Sequence, residues 1–181
     1  MEKYKVGRIE VMISEDASFM DLRFTADSHY ANREIYWNER RIHNALLTVT
    51  KQETPPPGTP PEKLGIKMFV NQVQAAKKLG FKSFDVDAAG SKQSSRYNGY
   101  YTWARFGYEP NGWSGKEIAE NLQIAGRKEK DLWTLMSTKE GQEWWKEEGE
   151  SWSGLFYLQE GSRNLQRLKE YAAAQGITGK F

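Results

Sequence analysis

A proline-rich segment sets the limits on what this chain can become. Residues 53–61, Glu53-Thr54-Pro55-Pro56-Pro57-Gly58-Thr59-Pro60-Pro61, hold five of the six prolines in the sequence. Proline has no N–H to give to a helix or a sheet ladder, so the stretch is neither helix nor inner strand. It reads as a stiff, solvated connector, polyproline-like in part. Before it the pattern is that of strands, and after it come a helix and then another strand. That succession implies a parallel or mixed sheet with a right-handed crossover. The connector therefore reads as a long strand-to-helix loop, with a domain linker as the alternative.

Residues 5–14 alternate, with Val6, Ile9, Val11 and Ile13 as the apolar members. Residues 15–18 turn, and residues 19–24 return with Met20, Leu22 and Phe24 on one face. Residues 27–41 are polar and hold no clear period; Ile35, Tyr36 and Trp37 are their expected buried group. Residues 44–50, rich in β-branched and apolar side chains, read as a strand. Beyond the connector, Ile66, Phe69, Val70, Val73 and Ala76 repeat at helical spacing, with Lys77 and Lys78 in the last turn and Gly80 as C-cap. Residues 81–89 follow as a strand with Phe84, Val86 and Ala88 on one face, Asp85 and Asp87 on the other. After Pro110 the pattern is helical. Ser114 with Glu117 and Ser137 with Glu140 form candidate capping boxes, opening helices near 115–125 and 138–148, with a shorter piece near 129–136. Residues 152–158 read as a short strand, and Ser162 caps a final amphipathic helix through Leu165, Leu168 and Tyr171.

Composition narrows the function classes. A chain of 181 residues suits one domain with a real core. With 26 basic against 24 acidic residues, a net charge of +2 gives no reason to invoke nucleic acid or an anionic membrane as partner. The absence of cysteine excludes disulfides, thiolate catalysis and Cys-ligated zinc, and His29 and His43 are too few for a histidine metal site. The N-terminus has no apolar signal region, and no run approaches the ~18 apolar residues of a membrane span. The expected location is the cytoplasm, or a virion if the chain belongs to such an assembly.

Residues 66–110 end in Asn98-Gly99-Tyr100-Tyr101-Thr102-Trp103-Ala104-Arg105-Phe106-Gly107-Tyr108 and on to Pro110. In order and spacing they resemble the second half of the core of GNAT-type (Gcn5-related) N-acyltransferases: a helix over 66–80, a strand over 81–89, a short helix over 98–107 and a Gly-aromatic pair, Gly107-Tyr108. The resemblance implies an α/β fold with a GNAT-like mixed, twisted sheet and helices on both faces. Residues 1–110 would be the core, and residues 111–181 a helical, Trp-rich C-terminal extension packed on it. Acetyl-CoA is the implied cofactor and an amine-bearing molecule the implied acceptor.

In that family the pattern Gln/Arg-x-x-Gly-x-Gly/Ala leads into a helix whose first N–H groups hold the coenzyme pyrophosphate. Here the pattern falls on Pro60-Pro61-Glu62-Lys63-Leu64-Gly65. Gly65 is retained, Pro60 stands at the Gln/Arg position and Lys63 at the first glycine. The implied coenzyme-binding residues are Lys63, Leu64, Gly65, Ile66 and Lys67, with Asn98 as a further contact. A tyrosine four residues before the glycine of the Gly-aromatic pair serves the family as general acid. Trp103 stands there, and an indole N–H is a donor but not a usable acid. The role passes to Tyr101, which lies off the packing stripe of Tyr97, Tyr100, Trp103 and Phe106. Asp85 and Asp87 are the candidates to hold a cationic amine or act as base, and a main-chain N–H near the end of strand 46–49 would stabilise the oxyanion.

The same departures imply a second possibility, a catalytically inactive GNAT-fold module of phage or bacterial origin that serves in assembly. Its Trp133, Trp144, Trp145 and Trp152, with Phe156 and Tyr157, would either cap the sheet or dock a protein partner. A third reading is an unrelated α+β domain whose aromatic tail binds a peptide or a carbohydrate.

Overall fold

The computed structural model describes residues 7–26, 29–49, 61–94 and 97–177. Val6 and residues 53–60 of the proline segment fall outside them. The chain opens with four antiparallel strands in sequence order, β1 (Arg8–Ile13), β2 (Met20–Ala26), β3 (His29–Tyr36) and β4 (Arg41–Val49). Helix α1 (Pro61–Lys78) crosses over to β5 (Ser83–Ala88), which pairs with β4 in parallel. Then come α2 (Gly99–Phe106), β6 (Glu109–Pro110), α3 (Gly112–Ile124), α4 (Leu132–Leu135), α5 (Lys139–Glu148), β7 (Trp152–Tyr157) and α6 (Arg163–Ala174). The sheet is seven-stranded and mixed, in the order β1-β2-β3-β4-β5-β7-β6.

The apolar repeat of α1 becomes the centre of the core. Ile66, Phe69, Val70, Val73 and Ala76 are all buried. Gly80 ends the helix with a positive φ of 79° while Phe81 returns its N–H to Ala76, closing the C-terminal turn in the left-handed conformation glycine favours. Phe84 of β5 lies opposite Phe156 of β7, so both point to the same face of the sheet. Phe69 sits over them with its ring 5.8 and 5.3 Å from theirs, and also meets Trp103, Phe106 and Tyr108. Tyr171 of α6 closes on Phe106. Helices α1, α2 and α6 thus share one face of the sheet.

The opposite face, carrying Arg41, His43, Asp85, Asp87, Ser153 and Tyr157, is half-buried or exposed. Over β4, β5 and β7, where apolar and polar residues alternate, α1, α2 and α6 cover the apolar face. The segment after Pro110 contributes to the same sheet and core. It supplies β7, an inner strand between β5 and β6, and α6, and its buried residues join one continuous cluster with those of the first half.

Two caps move from their expected places. Asn111, not Ser114, caps α3 by accepting from the Ser114 N–H, which leaves the buried Ser114 hydroxyl to accept from the Ser153 N–H. Thr138, not Ser137, caps α5. Ser162 caps α6 as read from the sequence. Of the polar run, residues 29–41 resolve into β3, the turn after it and the start of β4; Ile35 packs on the core while Trp37 is 46% exposed.

Candidate functional site

The parallel pair β4/β5 is joined only at Arg41–Ser83, Ile42–Phe84 and His43–Asp85. Beyond His43 the ladder stops, although β4 runs on to Val49. A β-bulge accompanies the parting: the β3/β4 register shifts between Asn32 and Glu34, setting Asn44 and Ala45 against the single residue Arg33. The result is a fork in the sheet, leaving the β5-facing main-chain groups of β4 past Asn44 without ladder partners among the described residues.

Polar side chains are buried at this fork. Asn44, 1% exposed, donates from Nδ2 to the Tyr108 hydroxyl at 2.6 Å and accepts at Oδ1 from Gln72 Nε2 of α1 at 2.6 Å. Burial pushes the Tyr108 phenol well above its usual range, so it stays protonated. Arg33 lies on the same face, donating to the carbonyls of Asn32 and Leu46 at 2.7 Å, and desolvation lowers its pKa to about 10. Buried polar groups cost stability unless they are paired, and here the pairing spans β4, α1 and the turn after α2.

The other face of the sheet presents a polar row at the same level. The registers bring Asp21 of β2, Glu34 of β3, His43 of β4 and Asp85 of β5 side by side. Asp85 takes His43 Nδ1 at 2.7 Å on one oxygen and Arg41 at 2.7 Å on the other. The hydrogen bond to Asp85 raises the His43 pKa, with further help from Glu34 and Asp87, against an opposing desolvation. Burial works against the Asp85 charge, but hydrogen bonds from His43 and Arg41 outweigh it and its pKa falls. Tyr36 donates to Glu34 at 2.7 Å while the Arg41 guanidinium lies 4.1 Å over the Tyr36 ring. Asp21 Oδ1 and Asn32 Oδ1 are buried with no hydrogen-bond partner; both are acceptors, so what they lack is a donor.

The residues read from the sequence are dispersed about this arrangement. Asp85 belongs to the row. Asp87 is exposed, accepts from the Ser153 hydroxyl at 2.6 Å and lines an open concavity of about 400 Å³ with Trp113. Tyr101 points elsewhere: it shares Arg105 with Tyr171, at 5.2 and 4.6 Å, on the α6 side of α2. It is Trp103, two positions on, whose ring packs 5.2 Å from Tyr108. The hydroxyl that meets Asn44 at the fork is that of Tyr108, and a residue set two apart on a helix faces nearly the opposite way.

Lys63, Leu64, Gly65, Ile66 and Lys67 lie within α1, not in a loop ahead of it. Ile66 is buried in the core, 2% exposed, and the amides of residues 65–67 are committed to helix bonds. Because Pro61 has no N–H, the unpaired donors of the first turn are the amides of Glu62 and Lys63. Asn98 precedes α2, bridges to Gly90 and makes no side-chain cap.

Most of the aromatic tail is consumed internally. Trp145 and Trp152 both donate their indole N–H to the Tyr100 carbonyl, at 3.1 and 2.8 Å, and Trp133 carries Arg167 over its ring at 3.9 Å. Trp113, 74% exposed, is the exception among the tail's tryptophans.

Sequence reasoning missed His43, Arg41, Asn44 and Tyr108 as members of one site. The signal available lay in the start of the strand: Arg41 and His43 alternate with Ile42, and Asn44 then sets a polar residue at a position on the Ile42 side. No helix among the described residues is long and apolar enough to cross a membrane, and among them no group of three or more acidic, histidine or cysteine side chains converges as a metal site. Comparison with known proteins finds no matching family model, no matching curated protein and no matching solved structure.

Proposed function

We propose that this chain is a GNAT-like, acyl-CoA-dependent N-acyltransferase that passes an acetyl group to a cationic amine through the fork between β4 and β5. The observation that carries the reading is the coincidence at one level of the sheet: a parallel pair that parts, a paired polar cluster buried on the helical face, and an acidic row around His43 on the open face.

Acetyl-CoA would supply an acyl group activated as a thioester. The amides of Glu62 and Lys63 at the start of α1, with the Lys63 and Lys67 ammonium groups, fit an anion there, although two donors are fewer than a glycine-rich entry offers. The unpaired β4 amides past Asn44 stand where an oxyanion needs donors. Tyr108, oriented by Asn44 and kept protonated by burial, holds its proton at the fork. On the open face, Asp21 and Asn32 offer acceptors to an ammonium group, and His43 Nε2, with Nδ1 held by Asp85, would receive its first proton. The amine would then attack the thioester carbonyl and the C–S bond would break, the second amine proton leaving with the coenzyme thiol. His43 accepts its proton only when neutral. Its raised pKa therefore places the rise of activity with pH above 6.5, the ordinary histidine value.

A second reading is favoured by one observation. Trp103 fills the family's acid position and is 6% exposed among core rings, which suits a silent module retained for assembly in a phage or bacterial structure.

Thermal unfolding with and without acetyl-CoA separates the two. Ligand at 100 times its Kd stabilises by ~2.7 kcal/mol, enough to raise the Tm by about 5–10 °C in a chain of this size. An unchanged Tm with both acetyl-CoA and CoA at millimolar concentration would refute the coenzyme reading.

A further inference from the structure

The two edges of the sheet are built differently. One edge, β6, has only the two residues Glu109 and Pro110; proline has no N–H to offer, and Glu109 is tied to Arg163 and Asn164. Such an edge cannot template another strand. The other edge, β1, is six residues long and, among the described residues, unpaired on its outer side, with Ile9, Val11 and Ile13 exposed at 62, 53 and 65%.

The outward groups of β1 can be identified. Ser14 donates its N–H to the Phe19 carbonyl, and the register runs unbroken from Ile13–Met20 to Arg8–Thr25. In an antiparallel pair, successive residues alternate between facing the partner and facing away. The N–H and C=O groups of Ile9, Val11 and Ile13 therefore point away from β2, and no strand among the described residues pairs with them. These three apolar residues also share the sheet face of Met20, Leu22 and Phe24.

We infer that β1 is a docking edge for a second copy of this chain, joined antiparallel about a two-fold axis through Ile9. The charges select this occupant and this register. Arg8 and Glu10 flank Ile9 symmetrically, pair with each other at 2.7 Å within the strand, and keep side chains 78 and 42% exposed, open to a second pair across the axis. A two-fold axis at Ile9 sets each Arg8 opposite Glu10 of the partner subunit. Ile9 then exchanges both main-chain hydrogen bonds with Ile9 of the partner subunit, and Val11 does so with Gly7 of the partner subunit. The interface is isologous and closes on itself, which gives a dimer rather than a filament.

Sedimentation velocity over a concentration series tests this, with three variants beside the wild type. The wild type shifts from one to two chain masses as concentration rises. Val11→Pro removes an outward N–H that β2 does not use, so it keeps the far-UV circular dichroism of the wild type and remains monomeric throughout. Glu10→Arg sets like charges across the axis and weakens association about ten-fold. Exchanging the two charges, Arg8→Glu with Glu10→Arg, restores it. A wild type that stays monomeric to its solubility limit, a Val11→Pro chain that associates like the wild type, or a Glu10→Arg chain of unchanged affinity would each overturn the inference.

Discussion

Strands β5 and β7 bury alternate residues almost completely beneath α1, α2 and α6, whereas β1 and β2 carry a similar apolar alternation with no helix over it among the described residues. Phe84, Val86 and Phe156 are 2% exposed or less; Ile9, Val11 and Ile13 are more than half exposed. The strand chemistry is alike, so the difference comes from what the sheet is given to pack against. Between the halves stands β4, paired fully with β3 and briefly with β5, and the candidate site forms where that brief pairing ends. A sheet covered at one end and open at the other places its polar site at the seam.

The sharpest way to break this comparison is at Phe69. Phe69→Ala removes the ring that touches five other aromatic rings and should cost about 3–5 kcal/mol in urea unfolding. Val11→Ser on the open wing should stay within about 0.5 kcal/mol for the monomer. Equal costs would show that the wing is as tightly packed as the covered half.

A smaller effect is expected at the seam. Tyr108→Phe leaves Asn44 Nδ2 without its acceptor in a buried place, at a cost of about 1–3 kcal/mol in the same assay. Adding Asn44→Ala to that variant should cost much less than Asn44→Ala alone costs in the wild type. Additive costs would separate the two residues and dissolve the buried cluster.

The smallest effect lies on the open face and is read from the pH profile. His43 has a folded pKa above 6.5, so its contribution is complete below 6.5 and is lost as pH rises through the folded value. Asp85 has a folded pKa below 3.8, so its contribution is present above 3.8 and lost as pH falls through the folded value. The pair should therefore stabilise most between those limits. His43→Gln should flatten the alkaline decline in unfolding free energy measured from pH 6 to pH 9, and a slope unchanged in that variant would take His43 out of the account.

The covered half was the more legible in sequence, for a physical reason. Helix α1 and strand β5 bury one face each, so Ile66, Phe69, Val70, Val73 and Ala76, and Phe84 with Val86, announce themselves by period. Strand β3 did not, because its Asn32, Arg33 and Glu34 answer to a bulge and an open face rather than to a core. The start of β4 was missed for the same cause: Arg41 and His43 lie on that open face. Tyr108 and Asn44 are 64 positions apart, and only the crossover through α1 brings them into contact. Tyr101 lies off the aromatic stripe, and that same geometry turns it toward Arg105 and away from the fork.

Hydrogen exchange of main-chain amides, with and without saturating acetyl-CoA, addresses the central proposal most directly. The proposal requires slowed exchange at residues 62–63 at the start of α1 and at residues 45–47 beyond the fork in β4, with β1 and β2 unchanged. Exchange that is unaltered at both places, or slowed only elsewhere, would contradict it.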